Sequence, residues 1–329
     1  MAEKLPTQIK SQYLYDKVKD VYSLDDWEYM EPLVARINQL KKEKNAVILA
    51  HNYMTPDIYH CVSDIVGDSL ALAIEAKNVE ADIIVMAGVH FMAETSKILS
   101  PEKKVLIPDD KAGCSLASSI TGADVRKLKQ LYPGRPVITY VNTTADVKAE
   151  TDICCTSGNV EKIVRSLGVD EIILIPDKYL AGNVEKATGI RCITWDDGSC
   201  EVHELFTVDE MKTLRKSDPD LKIIAHPECP KEVVAEADFA GSTAGMINYV
   251  VDNQPEKVAL ITECSMSHNI SKQAPNTKFM GMCRMCPHMK KITLENIVKC
   301  LEQETVEVCL DDEIIQKAYG SVQRMLERS

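Results

Sequence analysis

No stretch of this 329-residue chain strings together the roughly 18 uninterrupted apolar residues that a membrane helix requires. That absence excludes a helical membrane span. Positive charge is not in excess either: 38 Lys and Arg stand against 50 Asp and Glu, a net charge of −12. Phosphate backbones need a basic face, so nucleic acid is excluded as the main partner. Small anionic ligands are not, because helix ends and single side chains can hold them. Low-complexity tracts and runs of like charge are missing, and the opening MAEKLPTQIKSQYLYDKVKD lacks the apolar centre of a secretion signal. The expected setting is the cytoplasm. In that reducing compartment the twelve cysteines are not expected to form a disulfide framework, and most should be small buried hydrophobes. Also missing is a partner for CRMC, residues 283–286, a Cys-x-x-Cys pair with no second pair to complete a zinc site.

What the chain does contain is a triplication. Apolar, strand-like runs recur in sets of three: 46–53, 81–88 and 103–110, then 136–144, 170–177 and 190–195, then 221–228, 256–263 and 277–282. After each first run comes an Asp followed five positions later by Ser or Thr: Asp64 and Ser69, Asp152 and Ser157, Asp238 and Thr243. Each Asp precedes the acidic residue opening the second run by 18 positions (Asp82, Asp170, Glu256). A cysteine past the third run follows after a further 32, 30 and 30 positions: Cys114, Cys200 and Cys286. Landmarks kept in step through three copies mark a repeated unit.

The segments between runs read as helices, and a Ser/Thr-x-x-Asp/Glu capping box precedes each unit: Ser23 with Asp26, Thr121 with Asp124, Thr207 with Glu210. Two more helices are expected at about 293–303 and 311–328. Strands alternating with helices imply α/β layers on short parallel sheets. The expectation is three homologous three-layer α/β domains around a pseudo-threefold axis: 25–118, 119–204 and 205–290, with an N-terminal extension over 1–24 and closing helices over 291–329.

In parallel α/β units, ligands bind beyond the carboxyl ends of the strands. First-run ends carry His51, Asn52 and Tyr53, then Tyr140 and Asn142, then His226 and Glu228; third-run ends lead to Cys114, Cys200 and Cys286. If these ends converge, three thiolates face one another, a set suited to a cubane iron–sulfur cluster with one iron lacking a protein thiolate. Such an iron is a Lewis acid. Zinc with three Cys and a fourth ligand is the alternative. Two His, two Tyr and a Glu lining the same cavity suit proton transfer near neutral pH. Ser69, Ser157 and Thr243 are expected as helix N-caps whose helix ends also hold anions. Glu94, Thr95, Lys97, Lys111 and Arg284 are weaker candidates, as readily surface or interdomain salt-bridge residues.

The stretches ILAHNY (48–53), DIVGDSLALA (64–73), GVHFMAETSKIL (88–99), LIPDDKAGCSLA (106–117), TYVNTTADVKA (139–149), CTSGN (155–159), HPEC (226–229), DFAGSTAGM (238–246) and CPHMK (286–290) together resemble the quinolinate synthase family from about residue 30 onwards. The resemblance implies three homologous α/β domains and condensation of iminoaspartate with dihydroxyacetone phosphate to quinolinate, in de novo NAD biosynthesis. It implies a [4Fe–4S] cluster on Cys114, Cys200 and Cys286. It assigns His51, Ser69, Tyr140 and Asn142 to the iminoaspartate-derived part, and Ser157, His226, Ser242 and Thr243 to phosphate or carboxylate groups. Tyr53 and Glu228 become the acid–base pair, assisted by His226. An iminoaspartate-supplying enzyme, such as L-aspartate oxidase or aspartate dehydrogenase, is an implied partner. Rival readings are another iron–sulfur hydro-lyase and a cluster-based or thiol redox sensor. Cys283 is left as the surplus member of its pair, with a dispensable or modest redox role. Serine replacements separate the two: Cys286→Ser is expected to abolish metal content in iron analysis and Cys283→Ser to preserve it, the reverse result overturning the assignment.

Overall fold

Each of the nine strand-like runs forms a strand in the computed structural model, which describes residues 11–329; the first ten residues of the expected N-terminal extension lie outside it. The first sheet holds β1 (Ala46–His51), β2 (Ile65–Gly67), β3 (Ile83–Ala87) and β4 (Lys104–Leu106). The second holds β5 (Val137–Tyr140), β6 (Ile153–Cys155), β7 (Glu171–Ile175) and β8 (Arg191–Ile193). The third holds β9 (Lys222–Ala225), β10 (Phe239–Ala240), β11 (Lys257–Ile261) and β12 (Lys278–Met280). All pairings are parallel and the strand order is the same three times: β2-β1-β3-β4, β6-β5-β7-β8, β10-β9-β11-β12. Central strands such as β3 are buried at every residue, as expected where helices cover both faces of a parallel sheet.

Four strands per sheet correct the expected three. The additional members, β2, β6 and β10, are two or three residues long, too short to register as apolar runs. They begin directly after the repeated Asp, whose role is thereby explained. Asp64 accepts from the amide of Ile48, Asp152 from that of Val137 and Asp238 from that of Ile223, at 2.8, 2.7 and 2.8 Å. Each carboxylate also pairs with a cation from the helix before the first strand: Lys41 at 2.7 Å, Lys129 at 3.8 Å and Arg215 at 2.9 Å. Every one of those cations lies 23 positions ahead of its Asp.

The three capping boxes form as read: Ser23, Thr121 and Thr207 accept from Asp26, Asp124 and Glu210, whose carboxylates return the bond. Of the closing helices, Leu294–Gln303 packs on Leu24–Glu43, and Asp312–Glu327 packs on Ala145–Ala149, β6 and His90–Leu99. Its Ser321 hydroxyl donates to the Lys148 carbonyl at 2.8 Å. The third sheet separates two cores by strand alternation: Ile224 joins the main core, and Ile223 and Ala225 face a second one with Phe206 and Met211.

Asp152→Ala removes the carboxylate that the Val137 amide uses. Loss of a charge-assisted bond to a backbone donor costs about 1–3 kcal/mol, so a lower urea midpoint is expected, with an unchanged midpoint contradicting the clasp.

Candidate functional site

Counting from the clasped amide puts the site residues at fixed offsets. Three positions on stand His51, Tyr140 and His226; five positions on stand Tyr53, Asn142 and Glu228. All six line one cavity, together with Ser69, Ser157 and Thr243 and with Cys114, Cys200 and Cys286 from the loops after β4, β8 and β12. Ser242 does not line it. Nor do the weaker candidates: the buried Glu94 accepts from the Ala145 amide, Thr95 bonds the Phe91 carbonyl, Lys97 bonds carbonyls of Pro101 and Lys103, Arg284 pairs with Glu210, and Lys111 is exposed.

The expectation that Ser69, Ser157 and Thr243 are N-caps is corrected. Asp68 caps the helix Ser69–Asn78, accepting from the Ala71 amide, and Ser242 caps Thr243–Asn253, accepting from Gly245. The helix after β6 starts only at Val160. With Asp68 and Ser242 capping two of these helices and Ser157 lying ahead of the third, all three hydroxyls border the cavity. Thr243 accepts from the Asn52 amide at 2.9 Å, and Ser157 meets His226 Nε2 at 3.2 Å.

Each of the three cysteines opens a tight turn. The backbone amides two and three residues on face its sulfur: Leu116 and Ala117 for Cys114, Val202 and His203 for Cys200, His288 and Met289 for Cys286. Such amides favour the thiolate, but burial prevails and pushes Cys114 up to about 12 and the other two above their ordinary value. A metal cation held by the three sulfurs would favour the thiolates, and its binding would release protons. Cys283 sits outside this group. It forms a disulfide with Cys264, a pairing the sequence reading did not anticipate.

Glu228 is the hub of the cavity. It is fully enclosed, accepts from the Tyr140 phenol at 2.5 Å, and lies 2.7 Å from His203 Nδ1. Burial opposes its charge, yet the imidazoles of His226 and His203 and the bonds from His203 and Tyr140 outweigh burial and hold it below the ordinary carboxylate range. Burial, then the Glu228 charge, keeps Tyr53 and Tyr140 protonated. Burial lowers His51 to about 4 and His226 to about 3. Both imidazoles are therefore neutral, and each accepts at Nδ1 from the amide two residues on, Tyr53 and Glu228 respectively. That pattern assigns the ring proton to Nε2.

Sequence reasoning missed His203 and Thr262. The phenol of Tyr53 bonds the Thr262 hydroxyl, and Thr262 meets His203 Nε2 at 2.9 Å, so a hydrogen-bonded path runs from Tyr53 to Glu228. The signal for His203 was its position three residues after Cys200; nothing marked Thr262. Glu263 also lines the cavity, with its charge offset by Lys290 at 2.9 Å.

The donor set fits a metal group: three thiols prepared by amides, and an Asn142 Oδ1 that is buried without a partner. Among the described residues, the three potential ligands whose donor atoms lie within 4.8 Å of one another are Cys200, His203 and Glu228.

Because His51 and His226 titrate at 6.5 when unfolded, the unfolded chain takes up protons that the folded one refuses. Their contribution is fully present above pH 6.5 and lost as pH falls towards 4 and 3. A thermal midpoint that drops across this window, and drops less in His51→Asn, is expected; a flat profile contradicts neutral burial.

A family model described as Quinolinate synthetase A protein matches residues 35–327. A quinolinate synthase of Caulobacter vibrioides is 58% identical over 318 residues, covering 95% of this chain and 86% of that protein. Quinolinate synthase of Sinorhizobium medicae is 56% identical over 317 residues, covering 96% and 88%. Quinolinate synthase 1 of Mesorhizobium japonicum is 54% identical over 326 residues, 99% of each chain. On the repeat, the cavity and these near full-length matches, the chain belongs to the quinolinate synthetase A family.

Proposed function

We propose that this chain condenses iminoaspartate with dihydroxyacetone phosphate to give quinolinate, phosphate and two waters, in its central cavity. The observation that carries the reading is the meeting of three amide-faced thiols and a Tyr–Thr–His–Glu hydrogen-bonded path around one space. Cys114, Cys200 and Cys286 would hold a [4Fe–4S] cluster, which when bound supplies a Lewis-acidic iron to a substrate oxygen.

The rest falls to the protein. His51 and His226, neutral and carrying a proton on Nε2, donate hydrogen bonds to substrate carboxylate or phosphate without adding charge that water would have to compensate. Ser69, Ser157 and Thr243 add hydroxyls, and Tyr140 and Asn142 orient the iminoaspartate-derived part. Ser242 serves the phosphate site indirectly, by holding the start of the helix that presents Thr243. Glu228 is the base: it is ionised, shielded from water and in reach of a substrate proton. Tyr53 is the acid, its phenol refilled through Thr262 and His203. Iminoaspartate would come from an oxidase or dehydrogenase acting on aspartate. These are small soluble metabolites, and no described helix is long and apolar enough to cross a membrane; the cytoplasm is the setting proposed.

A second reading has its own observation. The closeness of Cys200, His203 and Glu228 suits a single divalent cation with a Cys, a His and a carboxylate as ligands. Iron and sulfide analysis of anaerobically prepared protein separates the two, and one zinc per chain without sulfide would sink the cluster. For the acid–base assignment, Glu228→Gln is expected to lower kcat for quinolinate formation about 100-fold or more at unchanged iron content. Full turnover in that variant would show that Glu228 moves no proton.

A further inference from the structure

The three cysteines sit on loops from three different sheets, yet the loops are tied to one another by Ser115, Glu201 and His288, side chains that also border the cavity. Ser115 follows Cys114. Its hydroxyl donates to the Ser199 carbonyl at 3.0 Å and accepts from the Glu201 amide at 3.1 Å. Those are the two residues that flank Cys200, so one hydroxyl grips the second loop on both sides of its cysteine. Glu201 then extends the tie: its Oε1 lies 2.7 Å from Nε2 of His288, two residues past Cys286. The His288 ring in turn lies against Gly113, where an added Cβ would be 3.6 Å from Nδ1. First loop holds second, second holds third, and third rests on first.

We propose that Ser115 and the Glu201–His288 pair are positioning residues that set the three thiols in register before metal arrives. This rests on the reading of Cys114, Cys200 and Cys286 as the metal ligands. The amides facing each sulfur order a cysteine within its own loop, but they do nothing to fix one loop relative to another. Without cross-loop bonds, the entropy of aligning three loops falls on metal binding. Outer hydrogen bonds that orient ligands are where metal affinity is tuned. The two bonds of Ser115 reach backbone groups and fix the loop itself. The Glu201–His288 contact joins side chains that are 44% and 27% exposed, and solvent weakens such pairs. Ser115 is the stronger member.

The test uses the full chain, anaerobically, with two measurements. In the first, metal-free protein is treated with dibromobimane, a reagent that fluoresces when it joins two neighbouring thiols, and the Cys114–Cys200 product is mapped by peptide analysis. In the second, protein reconstituted with ferrous iron and sulfide is challenged with EDTA, and loss of visible absorbance is timed. Ser115→Ala is expected to slow cross-linking and speed metal loss by about tenfold at an unchanged thermal midpoint. Ser115→Thr, which retains the hydroxyl, recovers most of both. Glu201→Ala gives a smaller change in the same direction, and Glu201→Gln, which keeps an oxygen acceptor for His288, stays near the parent. Parent-like cross-linking and parent-like metal retention in Ser115→Ala overturn the brace. A parent protein that takes up no iron and sulfide defeats the cluster reading instead, and the cross-linking measurement then decides the brace alone.

Discussion

In each repeat a carboxylate reaches back to hold one backbone amide of the first strand, while a cation from the preceding helix holds the carboxylate. That contact fixes the longitudinal position of the strand. A slip of one residue in a strand turns every side chain to the opposite face, so the clasp decides which side chains emerge at the carboxyl end. His51 and Tyr53, Tyr140 and Asn142, His226 and Glu228 are the same two offsets read three times. The cavity is the sum of three identical rulers applied to different residues.

Those different residues give the cavity its asymmetry. The third copy supplies the carboxylate, the second a phenol that binds it, and the first a phenol that reaches it only through Thr262 and His203. Burial makes every charge in such a space costly, and the two fully buried glutamates, Glu263 and Glu228, meet that cost differently. Glu263 has an ammonium group beside it. Glu228 has the imidazoles of His226 and His203 and the phenol of Tyr140 around it, which together hold it ionised against burial.

Much of this was legible in the sequence because repetition converts a weak local signal into a strong periodic one. Asp64, Asp152 and Asp238 stood out only because each kept its distance to a Ser or Thr and to a cysteine, and their bond to the first strand is a tertiary fact behind that spacing. Three kinds of feature escaped. Strands of two or three residues have no pattern to detect. His203 and Thr262 occur once, without counterparts in the other copies, so spacing gave them no weight. The Cys264–Cys283 disulfide joins a helix start to a loop 19 residues on, a proximity set by how the chain turns after β11 and not by any motif.

The caps at Asp68 and Ser242 separate two duties that often fall on one residue. At many helix starts the same hydroxyl satisfies the backbone and faces the ligand, so a change that alters recognition also frays the helix. Here Asp68 and Ser242 take the first duty, and the hydroxyls of Ser69 and Thr243 line the cavity without capping. A change at either hydroxyl therefore alters the cavity wall while the cap that starts the helix stays in place.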